Sequence, residues 1–272
     1  MRPALADRDS LILRRNRAAT RGPEDFLHRI ALAEIEDRLA EVNRRFTDEA
    51  VVTGLPALWR GFRPGARVVA DDPVLALEPG AHDLVLHAMA LHWAEDPVGQ
   101  IIQCARALRP DGLFIAVQPG GETLTELRVA LAEAEAAETG GLSPRILPMG
   151  EIRDLGALIG RAGLALPVAD VLHRTASYRS IADLARDLRG MGETNAMAAR
   201  LRSPTRRRVM DRAQAILLDR FADPDDPDRF RITFDLVFLT GWAPADSQPK
   251  PLRPGSAQMR LADALETIRK ET

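Results

Sequence analysis

The chain has 272 residues, a formal net charge of −2, 46% hydrophobic residues and only 4% aromatic residues. This nearly neutral balance disfavours a nucleic-acid-binding protein, which would carry a basic face. The only cysteine, Cys104, excludes an internal disulfide framework and a cysteine zinc site, and no metal site is expected. No apolar stretch approaches the ~20 residues that span a bilayer, and no secretory signal pattern is present. We therefore expect a cytoplasmic protein that does not insert into a membrane.

Residues 1–46 are expected to form a basic arm followed by a long helix. Residues 1–22 are rich in arginine and fit either a short helix packed on the domain or a mobile arm. Pro23-Glu24-Asp25 predicts a helix start, and the apolar spacing that follows predicts a helix to about Phe46. Residues 47–272 are expected to form an α/β domain with a C-terminal extension, and the whole chain a single structural domain.

The segment 81–117 organises the rest of the chain. After Asp83 the apolar run 84–91 is typical of a strand buried on both faces. Asp96 followed by Pro97 predicts a helix start, and 109–112 predicts a stop and a turn before a second apolar strand at 113–117. Strand, helix and strand with short links form a parallel βαβ unit.

Further strands and helices are predicted on either side of this unit. Before it, we expect strands at 50–54 and 66–70 with a short helix or loop between them. After it, we expect helices at 122–138, 151–162, 180–192 and 204–220, an edge strand at 166–178, a strand at 230–240 and a short helix near the C-terminus.

Several strings resemble one family. The alternating strands and helices, with DLVL, LHW and RALRPDGLFIAV, resemble the core of a class I S-adenosylmethionine methyltransferase, a mostly parallel Rossmann-like sheet. A narrower resemblance, to the complex I assembly factor 5 proteins and the related biotin-pathway methyltransferases, is carried by four strings: GGETLTELRVAL (120–131), SPRI (143–146), DLRGMGETNA (187–196) and GWAP…SQPKPLRPGSA (241–257).

The resemblance implies S-adenosylmethionine as cofactor, held by a glycine-rich loop after the first strand and by acidic residues after the second and third. Here the loop position reads Thr53-Gly54 with a single glycine, and only about a dozen residues separate it from the strand that ends at Asp71-Asp72. A helix, a strand and a second helix would need roughly 30 residues. Either the second or the third strand is missing, so the sequence predicts an impaired cofactor site.

The candidate site residues follow from these positions. The resemblance implies that Thr53, Gly54, Asp71 and Asp72 bind the cofactor. His87, on the strand of the βαβ unit, either lines the same pocket or is a core histidine.

His92 and Trp93 follow that strand at its carboxyl end and are candidates for the reaction itself, since His92 could deprotonate an acceptor; a packing role is the alternative. His87 and His92 are expected on one extended segment, with side chains that face opposite sides. Glu122-Thr123 either caps a helix or contacts substrate. The arginines at 206–208, with Arg14 and Arg15, form either solvated helix faces or a surface for an acidic partner.

Two functions are therefore predicted. The first is methyl transfer from S-adenosylmethionine, or arginine modification, on a protein partner, which the resemblance implies is a complex I subunit. The alternative is a non-catalytic protein that keeps the methyltransferase fold and binds a partner protein with its surface.

Overall fold

A computed structural model describes residues 4–248 of the chain. The helices of this part are α1 Arg8–Arg21, α2 Phe26–Glu41, α3 Pro56–Phe62, α4 Pro97–Ala107, α5 Thr125–Thr139, α6 Ile152–Arg161, α7 Ile181–Gly190 and α8 Arg207–Arg220. The strands are β1 Glu49–Thr53, β2 Arg67–Ala70, β3 His82–Ala88, β4 Leu108–Gly120, β5 Ala165–Tyr178, β6 Ala222–Asp223 and β7 Asp226–Trp242. The predicted C-terminal helix lies outside the described residues.

The strands form one mixed sheet in the order β2-β1-β3-β4-β7-β5, with the short β6 paired to β7. Strands β1 to β4 pair in parallel, and β7 runs antiparallel to both of its long neighbours. The carboxyl ends of β1, β2, β3 and β4 therefore meet along one edge, where open α/β sheets bind ligands. The α/β fold predicted from the sequence is confirmed.

Helices cover both faces of the sheet, which explains why β3 is buried along its whole length. Leu84 and Leu86 pack with α2, α5, α7 and α8 on one face, whereas Val85 packs with α4 and α6 on the other. Cys104 of α4 is fully buried on the second face, and burial raises the pKa of its thiol. Asp96 caps α4 by accepting a hydrogen bond from the backbone N–H of Gly99 at 2.8 Å.

Three local predictions are wrong. Helix α2 ends at Glu41 and not near Phe46, because Val42, a poor helix former, is extended. Residues 109–112 do not form the predicted turn before the strand; they belong to β4. Asp111 has a φ of 63° inside β4, and its N–H donates to the carbonyl of Ala243, so pairing with the end of β7 overrides the turn tendency.

The third wrong prediction concerns the end of β3. The strand stops at Ala88, and Met89 turns the chain with a φ of 53°. His92 therefore lies in a 3₁₀ turn, Leu91–Trp93, and not on the same extended segment as His87.

The arginine-rich start forms a helix, α1, and not a mobile arm. Its fully buried Leu11 packs with Trp93, Leu147 and Met197, and Asp7 caps it by accepting a hydrogen bond from the N–H of Ser10. Helix α1 therefore lies directly over the carboxyl edge of the sheet. Within residues 4–248, no helix is both long and apolar enough to cross a membrane.

Candidate functional site

The carboxyl edge of the sheet has two halves that differ in what occupies them. We call the half at the ends of β1 and β2, around Thr53, Gly54 and Asp71, the cofactor cleft. We call the recess beyond the ends of β3 and β4, beside Met89, the open cavity; it has a volume of about 180 Å³. The resemblance stated above places the cofactor in the first half and the acceptor in the second.

Arg15 of α1 fills the cofactor cleft. Its side chain is buried, and a Cβ placed on Gly54 would overlap its guanidinium group. The absence of a side chain at position 54 therefore makes room for an arginine of this chain instead of a ligand. Thr53 is buried behind it, and its hydroxyl accepts the backbone N–H of Leu55 at 3.3 Å.

Both carboxylate oxygens of Asp71 accept hydrogen bonds from arginines of α1. Arg15 donates to its Oδ2 at 2.8 Å, and Arg8 donates to both carboxylate oxygens at 2.9 and 3.1 Å. Burial by itself would raise the pKa of Asp71, but the two guanidinium groups outweigh it and lower the pKa from 3.8 to about 2. Asp72 points outward, with a side chain 58% exposed, and meets only Arg8 at 3.2 Å.

The sheet order decides which strand carries Asp71. Strand β2 pairs directly with β1, the place that the second strand has in doubly wound sheets. Within residues 4–248 no strand pairs with the outer edge of β2. Of the two alternatives from the sequence, this supports the one in which the acidic pair ends the second strand and the third strand is missing.

His87 lies behind the cofactor cleft and is fully buried between β3 and α4. Its Nε2 is 2.7 Å from Oε1 of Gln100, whose amide donates to the backbone carbonyls of Asp71 and Asp72. The amide orientation makes Nε2 of His87 the donor, and burial lowers the pKa of His87 from 6.5 to about 4. His87 therefore lies behind the Asp71-Asp72 segment and supports it through Gln100.

These residues do not fit S-adenosylmethionine. The carboxylate that could accept ribose hydroxyls already accepts three hydrogen bonds from arginine, and the glycine backbone is covered by Arg15. The space left beside Arg8, Asp71 and Trp93 has a volume of about 160 Å³. Pockets for ligands of drug-like size have volumes of roughly 300–1,000 Å³. Entry of the cofactor would require α1 to move.

By contrast, none of the residues that line the open cavity belongs to α1. Its walls are mostly apolar and come from α2, α5, α7 and the loops at 145–149 and 191–195; they include Leu27, Leu127, Leu131, Leu188, Met149 and Phe234. Met89 and Leu124 line it with positive φ angles of 53° and 60°, an unfavourable backbone for residues with side chains. Such strain is typical of functional sites, because the surrounding structure must hold it in place.

Glu193 joins the predicted pair His92 and Trp93 at the wall of this cavity. Its Oε2 lies 3.0 Å from Nε2 of His92 and accepts the indole N–H of Trp93 at 2.7 Å. Burial would raise the pKa of Glu193, but its interactions with His92, Arg15 and Trp93 keep it below its ordinary value. The carboxylate is therefore ionised beside an apolar recess, and its second oxygen is 4.0 Å from the Arg15 guanidinium.

His28 of α2 also lines the open cavity and was not singled out from the sequence. The indole N–H of Trp59 donates to its Nδ1 at 3.1 Å, so the neutral ring carries its proton on Nε2. Burial lowers its pKa from 6.5 to about 4, which keeps the ring neutral near pH 7.

Glu122 and Thr123 shape the cavity without capping α5. The carboxylate of Asp235, on β7, accepts the N–H of Glu122 at 2.8 Å. The Thr123 hydroxyl donates to the carbonyl of Asp235 and accepts its N–H. Leu124 takes the position before α5. The GGET string thus holds Leu124 in its strained conformation at the cavity wall.

The sequence located part of this site. It placed His92, Trp93, Thr53, Gly54 and Asp71 on one sheet edge, and the structure places them there. Arg15, Glu193 and His28 were missed as site residues, because their contacts with that edge come from 31 to 101 residues away. Glu193 nevertheless lies in DLRGMGETNA (187–196), one of the strings that carry the resemblance. In residues 4–248, no cluster of histidine, cysteine and carboxylate side chains is suited to bind a metal ion.

Comparisons with known proteins agree with this architecture. Residues 27–116 match the family described as "Methyltransferase domain". The chain is 38% identical over 200 residues to the arginine-hydroxylase NDUFAF5 of Danio rerio, with 74% of this chain and 61% of that protein covered. The human protein of the same name is 34% identical over 200 residues, which cover 74% and 57%.

A malonyl-[acyl-carrier protein] O-methyltransferase of Laribacter hongkongensis is 32% identical over 193 residues, which cover 71% of this chain and 62% of that protein. The matches span 57% to 62% of the length of these three relatives.

Two solved structures illustrate the backbone likeness. YcgJ of Bacillus subtilis has a TM-score of 0.48 at 12% identity, with 80% of this chain and all of that chain covered. Phosphoethanolamine N-methyltransferase 2 of Haemonchus contortus, solved with S-adenosyl-L-methionine, has a TM-score of 0.41 at 11% identity and coverages of 82% and 54%. The family assignment depends on the sequence matches and not on these scores.

Proposed function

The chain belongs to the class I methyltransferase family, related to the NDUFAF5 proteins, and we propose that it binds a protein partner through the open cavity without using S-adenosylmethionine. The partner that the resemblance implies is a subunit of respiratory complex I during its assembly. This is the non-catalytic alternative predicted from the sequence. The cytoplasmic location stays a prediction from the sequence.

The observation that carries the proposal is the position of Arg15. A ligand in the cofactor cleft would have to separate Arg15 from Asp71, two side chains that are each 5% exposed. Breaking a buried ion pair costs about 3–5 kcal/mol. At 1.4 kcal/mol for each tenfold change, this cost weakens cofactor binding by roughly two to three orders of magnitude, before the missing strand is considered.

The open cavity supports the partner-binding part of the proposal. Met89 and Leu124 have positive φ angles beside a recess of about 180 Å³, and backbone strain of this kind clusters at functional sites. The recess is too small for a whole domain and suits one side chain of a partner. Ligand-binding sites typically have apolar walls and a few polar groups. In the open cavity these polar groups include Glu193 and His28.

Titration calorimetry with S-adenosylmethionine tests the first half of the proposal. We expect no heat of binding up to about 1 mM, since the penalty given above moves micromolar affinity into the millimolar range. Arg15→Ala, with Arg17→Ala as a control on the exposed face of α1, shows whether the guanidinium is the obstacle. Micromolar binding by the unmodified protein would contradict the proposal.

A second candidate function is modification of a partner arginine, the residue named in the description of the relatives. Glu193 favours it, because an ionised carboxylate at the cavity wall can accept a guanidinium group. Mass spectrometry of partner proteins decides between the two candidate functions. The partners are copurified once with the wild-type protein and once with the Glu193→Gln variant. An arginine mass shift that requires Glu193 supports modification; unmodified partner in both samples supports binding alone.

A further inference from the structure

A second feature of the molecule is a basic recess that we call the arginine basin. It consists of two adjoining hollows of about 630 and 580 Å³ that share Arg14, Arg189 and Thr194. Eight arginines line it, together with a single acidic residue, Glu24: Arg14, Arg17, Arg21, Arg145, Arg186, Arg189, Arg200 and Arg202. In a chain whose net charge is −2, this is a strong local segregation of positive charge.

Half of these arginines lack an acidic partner. Arg145, Arg186, Arg200 and Arg202 form ion pairs with Glu135, Asp183 and Asp7. Within residues 4–248, no carboxylate lies within ion-pair distance of Arg14, Arg17, Arg21 or Arg189. Elsewhere at the sheet edge, Arg8 and Arg15 are both paired with Asp71. Arg15 is buried against Asp71 and so cannot belong to a surface for an acidic partner, whereas for Arg14 that expectation stays a prediction.

The environment of Arg14 shows that positive charge prevails in the basin. Its guanidinium donates to the hydroxyl of Thr194 at 2.6 Å, and its Nε is buried with no hydrogen-bond partner among the described residues. Burial, followed by repulsion from Arg200 and Arg17, lowers the pKa of Arg14. An anion bound in the basin would reduce this repulsion.

The basin is continuous with the open cavity. Arg145, Arg189, Thr194 and Asn195 line both. A ligand can therefore place negative groups on the arginines while an apolar group enters the cavity. A cavity of about 150 Å³ is large enough for a benzene ring, so about 180 Å³ accepts the side chain of leucine or phenylalanine.

We propose that the arginine basin binds an acidic segment of a protein partner, and that one apolar side chain of this segment anchors in the open cavity. This inference rests on the proposed partner-binding function and names the chemistry of the partner. Arginine is suited to carboxylates because its planar guanidinium can donate two parallel hydrogen bonds. No aromatic side chain lines the two hollows of the basin, whereas single-stranded nucleic acids are bound by stacking on such side chains.

Fluorescence anisotropy with labelled peptides tests the proposal on the full chain. The probe is a short peptide rich in glutamate and aspartate with one central phenylalanine. We expect binding that weakens about tenfold or more in each of two matched peptides, one with glutamine and asparagine for the acids and one with serine for the phenylalanine. Raising the salt from about 50 to about 200 mM should weaken the acidic peptide most.

Variants locate the site. Arg17→Glu with Arg189→Glu reverses two exposed, unpaired charges of the basin and should weaken the acidic peptide about tenfold or more. Arg60→Glu with Arg106→Glu, two exposed arginines on α3 and α4 outside the basin, is the matched control and should change binding less than about threefold.

Three outcomes would overturn the inference: equal binding of the acidic and amide peptides, equal effects of the two double variants, or tighter binding of a single-stranded oligonucleotide than of the acidic peptide. Calorimetry with S-adenosylmethionine on the same samples separates this inference from the function on which it rests. If neither the peptide nor the cofactor binds, only the inference about the arginine basin is contradicted. Micromolar binding of the cofactor contradicts the proposed function, whether or not the peptide binds.

Discussion

The cofactor cleft and the open cavity lie side by side on one sheet edge, yet the chain treats them in opposite ways. In the cleft, Arg8 and Arg15 of α1 donate hydrogen bonds to Asp71, and Arg15 covers the backbone of Gly54. In the cavity, strained backbone and an ionised Glu193 surround empty apolar space. The difference shows that a fold can close one of its binding regions with its own side chains while it keeps the neighbouring one open.

The two halves are also physically joined. Arg15 lies between Asp71 on the cleft side, at 2.8 Å, and Glu193 on the cavity side, at 4.0 Å. Gly192, with a φ of 75°, lets the 191–195 loop pass close to the aliphatic part of Arg15. Filling the cleft therefore helps to fix the wall of the cavity.

The largest effect is expected from removing the acid in the cleft. Asp71→Ala leaves the buried Arg15 without its main partner and should lower the free energy of unfolding by about 3–5 kcal/mol. Asp72→Ala, its exposed neighbour, should lower it by less than about 1 kcal/mol. Urea denaturation measures both values; similar values for the two variants would mean that the cleft is not closed by a buried pair.

The pH dependence of stability reports on one buried histidine in each half of the sheet edge. His87 lies behind the cofactor cleft, and His28 lines the open cavity. The pKa of each falls from 6.5 in the unfolded chain to about 4 in the folded protein, so protons bind preferentially to the unfolded chain. Stability is then complete above pH 6.5 and decreases as the pH falls to about 4, by up to about 3 kcal/mol for each histidine.

Denaturation at a series of pH values tests this. His87→Gln and His28→Gln should each flatten the decrease. Asp71, with its pKa lowered from 3.8 to about 2, should add a further loss of stability only below pH 3.8. An unchanged slope in both buried-histidine variants would contradict their neutral state.

Glu193→Gln tests the link between the halves. It replaces charge-assisted hydrogen bonds to His92 and Trp93 with neutral ones and should cost about 1.5–3 kcal/mol. A double-mutant cycle with Arg15→Met should give a coupling energy of about 0.5 kcal/mol or more, since the two side chains meet. Additive effects within experimental error would show that the cleft and the cavity are independent.

The smallest effect on stability is expected from filling the cavity. Ala185→Phe, on α7, places a ring in the recess and should change stability by less than about 1 kcal/mol, because free volume is available. It should abolish binding of an apolar anionic dye such as anilinonaphthalene sulfonate. Ala182→Phe, one turn earlier on the exposed side of α7, should leave dye binding intact; loss of dye binding in both variants would place the dye elsewhere.

Much of the fold could be predicted from the sequence because its signals are local. The apolar run in β3, the Asp96-Pro97 start of α4 and Gly163 after α6, with a φ of 82°, each depend on residues within a few positions. The wrong boundaries at 109–112 and 89–92 lie where distant partners intervene, as Ala243 does for Asp111.

The sequence by itself determined the α/β class, the family resemblance and the shortage of residues between Gly54 and Asp71. Only the tertiary structure decided what that shortage means: Asp71 ends the strand beside β1, and Arg15 fills the space above Gly54. The physical reason is that a deletion is visible in a linear chain, whereas the side chain that compensates for it comes from 56 residues away and is selected by packing and charge in three dimensions.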